Sequence, residues 1–224
     1  MSLDRSKVSD GCDPGFDLLL TGRSPGDVCR ERSVSPRDLI LAIGDAGLER
    51  EAPARPALVQ EKPLHPCLID VLTESAIAPL FPGATRSDVL GLCAGLLQIH
   101  DFWDASHEAA QQADDLGERH VSAYWHGIAH RREPDAGNAA YWFRRVGRHP
   151  IFRELGRDAK AILEKASATG SASKVVEGGS WNPFAMIDLC VSARSGTSAE
   201  SLALELQRAE MRRLLRATLD RFDG

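Results

Sequence analysis

The chain has 224 residues, 43% of them hydrophobic and 26% charged, which suits a globular core organised as one domain plus a small extension. A formal net charge of -5 argues against a nucleic-acid partner, and no apolar run approaches the roughly 18 residues that a membrane span needs. Five scattered cysteines (Cys12, Cys29, Cys67, Cys93, Cys190) with no CxxC pair, behind a polar N-terminus without a signal-type apolar stretch, lead to the expectation of a cytoplasmic protein with reduced thiols.

Residues 1–65 read as an N-terminal arm. The first 33 residues mix Gly, Pro, Asp and Ser around one apolar patch, Phe16 to Leu20, and are expected to be irregular. Ser35-Pro36 gives a cap followed by proline at the first helical position, and Gly47 closes a short helix carrying Leu39, Ile40 and Ile43. Pro53, Pro56, Pro63 and Pro66 then mark an extended surface connector.

Residues 66–224 read as an all-α domain. Leu68, Ile69, Val71, Leu72 and Ile77 form one apolar stripe ending at Pro79. Ser87-Asp88 is expected to cap a stronger helix reaching Ile99, with Gly91 and Gly95 on one face for close approach of another helix. A polar helix from Asp104 to Gln112, a loop near Asp114 to Gly117 and a helix ending at Arg132 follow. Pro134 stops that helix, Asp135 caps the next, and Gly147 ends it after Val146. Phe152 to Ala168 is helical, residues 169–180 form a Ser/Gly-rich loop, and Asn182-Pro183 starts a short apolar helix. The last helix opens at the capping box Thr197 to Glu200 and runs through Leu204, Met211, Leu215 and Phe222. No long alternation of period two is present, so strands are expected to be minor.

An offset of 31 residues sets the helix start at Asp104 against that at Asp135, the spacing of helix–turn–helix repeats. Counted from Gly127, Ala139 and Phe143 take the small and aromatic packing positions, and the segment Asp135 to Val146 resembles the second helix of tetratricopeptide and Sel1-like repeats. Val146, His126 and Ala123 depart from the residues usual in that pattern. More broadly, residues 90–220, through Trp125 to Phe152 and the Trp181-Asn-Pro-Phe segment, resemble an uncharacterised bacterial and fungal family. That resemblance implies TPR-like antiparallel helical hairpins, arranged as a solenoid or an irregular bundle, and no assigned activity.

Unusual side chains concentrate in one region. Six of the seven histidines lie between His100 and His149, three of four tryptophans between Trp103 and Trp142, and seven arginines face three acids from Glu118 to Arg153. Two readings compete. In the leading one, Arg131, Arg132, Asn138, Tyr141 and Arg145 build a binding surface for an anionic small molecule or a protein partner, in a groove between the helices of residues 88–102 and 120–132. In the other, a metal-dependent enzyme, His126 and His130 stand four apart on one helix and hold a divalent metal such as zinc. The third ligand comes from His107, Asp104, Glu108 or His120, with His107 preferred. The sequence between the pair, HGIAH, lacks the general-base glutamate of HExxH, and His130 alternatively packs on Tyr141 or Phe143. A homo-oligomer joined through the apolar face of the last helix, Leu204 to Phe222, is a third expectation.

Overall fold

The computed structural model describes residues 15–49 and 56–222. Cys12 and Pro53 lie outside the described residues. The described chain is all-α, with eleven α-helices, short 3-10 turns and one two-stranded hairpin.

The N-terminal region departs from the expected irregular arm. Helix α1 (Phe16–Leu19) leads into α2 (Pro25–Arg32), which starts with the same chemistry as its successor: Ser24 accepts the Asp27 N–H and proline stands at the first position. In α3 (Pro36–Leu48), Ser35 accepts the Asp38 N–H as expected. All three join the main hydrophobic cluster through Leu19, Val28, Leu39, Ile40, Ile43 and Leu48. His100 bonds through Nε2 to the Ile43 carbonyl at 2.9 Å and stacks on Phe16. These helices are therefore part of the body.

The connector is pinned rather than merely laid over the surface. The Gln60 N–H donates to the Arg132 carbonyl at 2.9 Å, while Gln207 Nε2 donates to the carbonyls of Pro56 and Ala57. The stripe from Leu68 to Ile77 divides into a 3-10 turn, Pro66–Val71, and α4 (Glu74–Ile77), whose cap is Thr73.

Helix α5 (Arg86–Ile99) is capped by Thr85, two residues before the expected Ser87. Its glycines meet α7 (Val121–Arg132): a Cβ on Gly91 would lie 3.3 Å from Val121, and one on Gly95 would lie 2.6 Å from the Trp125 indole. The Val121 and Trp125 side chains of α7 thus occupy the space that the two glycines leave on α5, where a groove was expected. Glu118 caps α7 in place of an N-cap side chain, accepting the Ser122 N–H at 2.6 Å and an Arg221 N–H at 2.6 Å. Burial alone would raise the Glu118 pKa; those donors outweigh it and leave it lowered.

In chain order α6 (Trp103–Asp115) links α5 to α7, and α7 turns into α8 (Ala136–Val146), capped by Asp135 through the Asn138 N–H. A Cβ on Gly127 would touch the Phe143 ring at 2.9 Å, so α7 and α8 close on each other at the predicted small–aromatic pair. Helix α9 (Phe152–Lys165) packs on the hairpin β1 (Val176–Glu177) and β2 (Ser180–Trp181), antiparallel with Val176 opposite Trp181. Asn182 caps α10 (Pro183–Ser192).

Helix α11 (Ser198–Leu219) joins two cores. Leu202, Ala203 and Leu206 enter a cluster with Leu155, Trp181 and Met186, while Met211, Leu214, Leu215 and Leu219 enter the larger one. The apolar face expected to join subunits is used inside the monomer. No helix among the described residues is long and apolar enough to cross a membrane.

Candidate metal centre

Helices α6 and α7 cross so that three imidazoles converge. The ring of His107 on α6 meets that of His126 on α7 edge to face at 4.4 Å, and that of His130 at 5.2 Å. His126 and His130, one turn apart, lie parallel, 5.6 Å between centroids and 4° between planes. One ligand nitrogen from each lies within 4.8 Å of the other two. Of the four third-ligand candidates, the fold supplies His107. His120 stands beside His149 instead, 6.2 Å between ring centroids.

The surroundings hold these rings in place. Trp142 of α8 stacks flat on His126, 3.9 Å away and 5° from parallel. Trp103 stacks on His107 at 5.0 Å and fixes its own indole by donating to the Ala129 carbonyl at 2.9 Å. His130 Nδ1 bonds a Glu133 carboxylate oxygen at 2.8 Å. A carboxylate on one imidazole nitrogen orients the ring and leaves the other nitrogen basic, the usual outer-shell arrangement of histidine metal ligands. Glu133 and Trp142 were not singled out from the sequence. Glu133 was discoverable as the acid three residues after His130, whereas Trp142 reaches His126 only through the α7–α8 turn.

His126 is the member of the trio with the most to gain from a ligand. It is fully buried, and neither ring nitrogen has a hydrogen-bond partner. An unpaired buried polar group costs about 1–3 kcal/mol. Burial, reinforced by His107, His130 and the Arg145 guanidinium, drives its pKa down to about 3. Burial, with His130 beside it, also lowers that of His107, although Glu133 and Asp104 oppose the shift. At neutral pH both rings are therefore neutral, the form in which imidazole ligates metal.

A second trio, His130, Glu133 and Asp135, also lies within 4.8 Å. Asp135 is occupied as the cap of α8: its two carboxylate oxygens accept the backbone N–H and the side-chain amide of Asn138, at 2.9 and 2.8 Å. Beside the histidines, a cleft of about 560 Å³ runs between residues 60–63 and 101–105, with Trp103 in its wall.

The residues expected to bind an anion fall into two groups. Arg131 is buried and pairs with Glu210 of α11 at 2.5 Å; the other Glu210 oxygen accepts the Tyr124 hydroxyl at 3.0 Å. Arg132 is buried too, donating to Asp101, to the Gln98 carbonyl at 3.0 Å and to the Ala57 carbonyl at 2.8 Å. Both guanidiniums are buried against internal acceptors, Arg131 through Nη2 with its Nε and Nη1 unpaired, so neither faces a groove. Asn138 is engaged with Asp135. Tyr141 is exposed, and Arg145 lies 5.9 Å from its ring and 5.1 Å from that of Trp142, held by both Asp114 oxygens at 2.9 Å. Of the five predicted residues, Asn138, Tyr141 and Arg145 are exposed on α8, whereas Arg131 and Arg132 are buried.

Comparison with protein-family models, with curated proteins and with solved structures returns no match to this chain.

Proposed function

We propose that this protein binds one divalent transition-metal ion, of the zinc class, through His107, His126 and His130, and that the ion clasps α6 to α7. The observation that carries this reading is His126: a fully buried imidazole with both nitrogens unpaired, facing two further imidazoles. Stacking on Trp142 and the edge contact with His107 pack the ring but leave both nitrogens unpaired, and a metal ion would give one of them a partner. Zinc–nitrogen bonds of about 2.0–2.1 Å ask for ligand atoms roughly 3.3 Å apart, which modest side-chain rotations from the present spread would give. A donor set of nitrogens alone favours zinc, copper, nickel or cobalt over magnesium or calcium. Because burial keeps His126 and His107 deprotonated, the ion has few protons to displace at neutral pH.

Three protein ligands leave a tetrahedral ion one position for water or substrate, the arrangement of catalytic zinc. A metal-dependent enzyme is thus consistent with the ligand set. An anion- or partner-binding module centred on Arg131 and Arg132 has less support, since both are buried on internal carboxylates. The repeat resemblance draws support from the contact between Gly127 and Phe143.

The test is metal analysis of tag-free protein dialysed against low zinc. About one equivalent is expected to be retained, because such sites hold zinc tightly. His126→Ala and His107→Ala are expected to retain less than about a tenth. Equal retention by wild type and both variants would contradict the assignment.

A further inference from the structure

Of the three imidazoles, that of His107 is the one open to solvent. His126 is fully buried and His130 is 7% exposed, whereas His107 is half-buried. Trp142, itself buried, covers the ring of His126 on the α8 side. A hydrated ion therefore reaches the trio past His107, between the first turns of α6 and the end of α7.

Carboxylates surround that approach. Asp104 is exposed and stands one turn before His107 on α6. Glu133, also exposed, bonds His130 Nδ1 at 2.8 Å, and an Asp135 oxygen lies within 4.8 Å of both. Burial and His130 lower the pKa of His107, while Glu133 and Asp104 oppose them, so both acids lie within electrostatic reach of its ring. Among the described residues, none of the three carboxylates pairs with a lysine or arginine; Glu133 meets the His130 ring and Asp135 the Asn138 amide.

The neighbouring cations are already balanced. Arg145, which bears on His126 from α8, is held by both Asp114 oxygens at 2.9 Å. Arg131 pairs with Glu210 and Arg132 with Asp101. Lys62 lines the same cleft as Asp104, but Glu61 lines it too and offsets the lysine. Asp104, Glu133 and Asp135 thus give the approach a negative excess. A charged entrance raises the local concentration of its counter-ion and speeds capture, an effect that salt screens. Neutral imidazole ligands also leave the ion its full double charge, which nearby carboxylates offset.

Resting on the three-imidazole site proposed above, we infer that Asp104, Glu133 and Asp135 form an electrostatic mouth that captures the ion as its hydrated dication on the His107 side. The three carboxylates steer the ion and do not ligate it.

Stopped-flow mixing of the metal-free full-length chain with cobalt chloride measures the capture. The signal is quenching of Trp103 and Trp142, which stack on His107 and His126. The association rate of wild type is expected to fall about tenfold between roughly 10 mM and 500 mM sodium chloride. At low salt Asp104→Asn is expected to slow association about threefold and Asp104→Lys about tenfold, both converging on the wild-type rate at high salt. Asp104→Glu keeps the charge and is expected to match wild type. Cobalt that binds at a rate indifferent to salt, or as fast at low salt in Asp104→Lys as in wild type, would overturn the steering and leave the three-imidazole site standing. Absence of quenching, together with no cobalt retained after dialysis, would overturn both.

Discussion

At His126 the cost of burial and the capacity for chemistry coincide. Its nitrogens have no partner in the fold, and its ring is wedged between Trp142 and the other two imidazoles. In metal-free buffer, His126→Leu is therefore expected to be as stable as wild type within about 1 kcal/mol, or more stable, because it removes unsatisfied polar atoms from the interior. Urea unfolding measures this; a loss above about 3 kcal/mol would mean that the imidazole is structurally paired. Proton linkage gives an independent check. His126 and His149 titrate at about 3 and about 4 when folded, against an ordinary 6.5. Below pH 6.5 the unfolded chain takes up protons that the folded one refuses. Stability of the metal-free protein is thus full above pH 6.5 and falls progressively as the pH drops through 4 toward 3. Urea midpoints at pH 7.5 and 5.0 should show that fall, and His126→Leu should lessen it.

Among the elements, glycines and buried ion pairs set how closely the helices meet. A Cβ on Gly156 would lie 2.7 Å from the Gly179 carbonyl oxygen, a backbone atom of the β1–β2 hairpin. Gly156→Ala must therefore displace the hairpin from α9, and a loss of about 2–3 kcal/mol is expected in denaturant melts. Gly95→Ala presses on the Trp125 ring and should cost about 1–3 kcal/mol. The Arg131–Glu210 pair, with side chains 1% and 0% exposed, ties α7 to α11. Arg131→Ala leaves a buried carboxylate uncompensated and is expected to cost about 3–5 kcal/mol by the same measurement. Helix starts were legible where a single side chain decides them: Ser35, Asp135, Asn182 and Thr197 each cap as read. Ser24-Pro25 carried the same signal before α2, but the surrounding glycines and prolines obscured it. The roles of Arg131 and Arg132 were not legible, because their carboxylates lie 79 and 31 residues away in sequence. Spacing identified the pair His126 and His130; it could offer His107 only as one of four candidates, since that ligand depends on how α6 crosses α7.

For the whole molecule, two features make one body of the chain: α11 lies in both hydrophobic clusters, and the N-terminal helices close the larger one. The proposed metal centre spans α6 and α7 within that body, and Trp142 of α8 stacks on its His126. An ion bound only in the folded state stabilises by mass action, by about 2.7 kcal/mol at a hundredfold excess over its Kd. Zinc at that excess should raise the melting temperature of wild type by several degrees and leave that of His126→Leu unchanged. The most direct test of the assignment is the zinc-edge X-ray absorption spectrum of the tag-free protein loaded with one equivalent. Three imidazole nitrogens at about 2.0–2.1 Å, lost in His107→Ala and His126→Ala, are the predicted result. A shell of oxygens alone, or a spectrum that both variants reproduce, would contradict it.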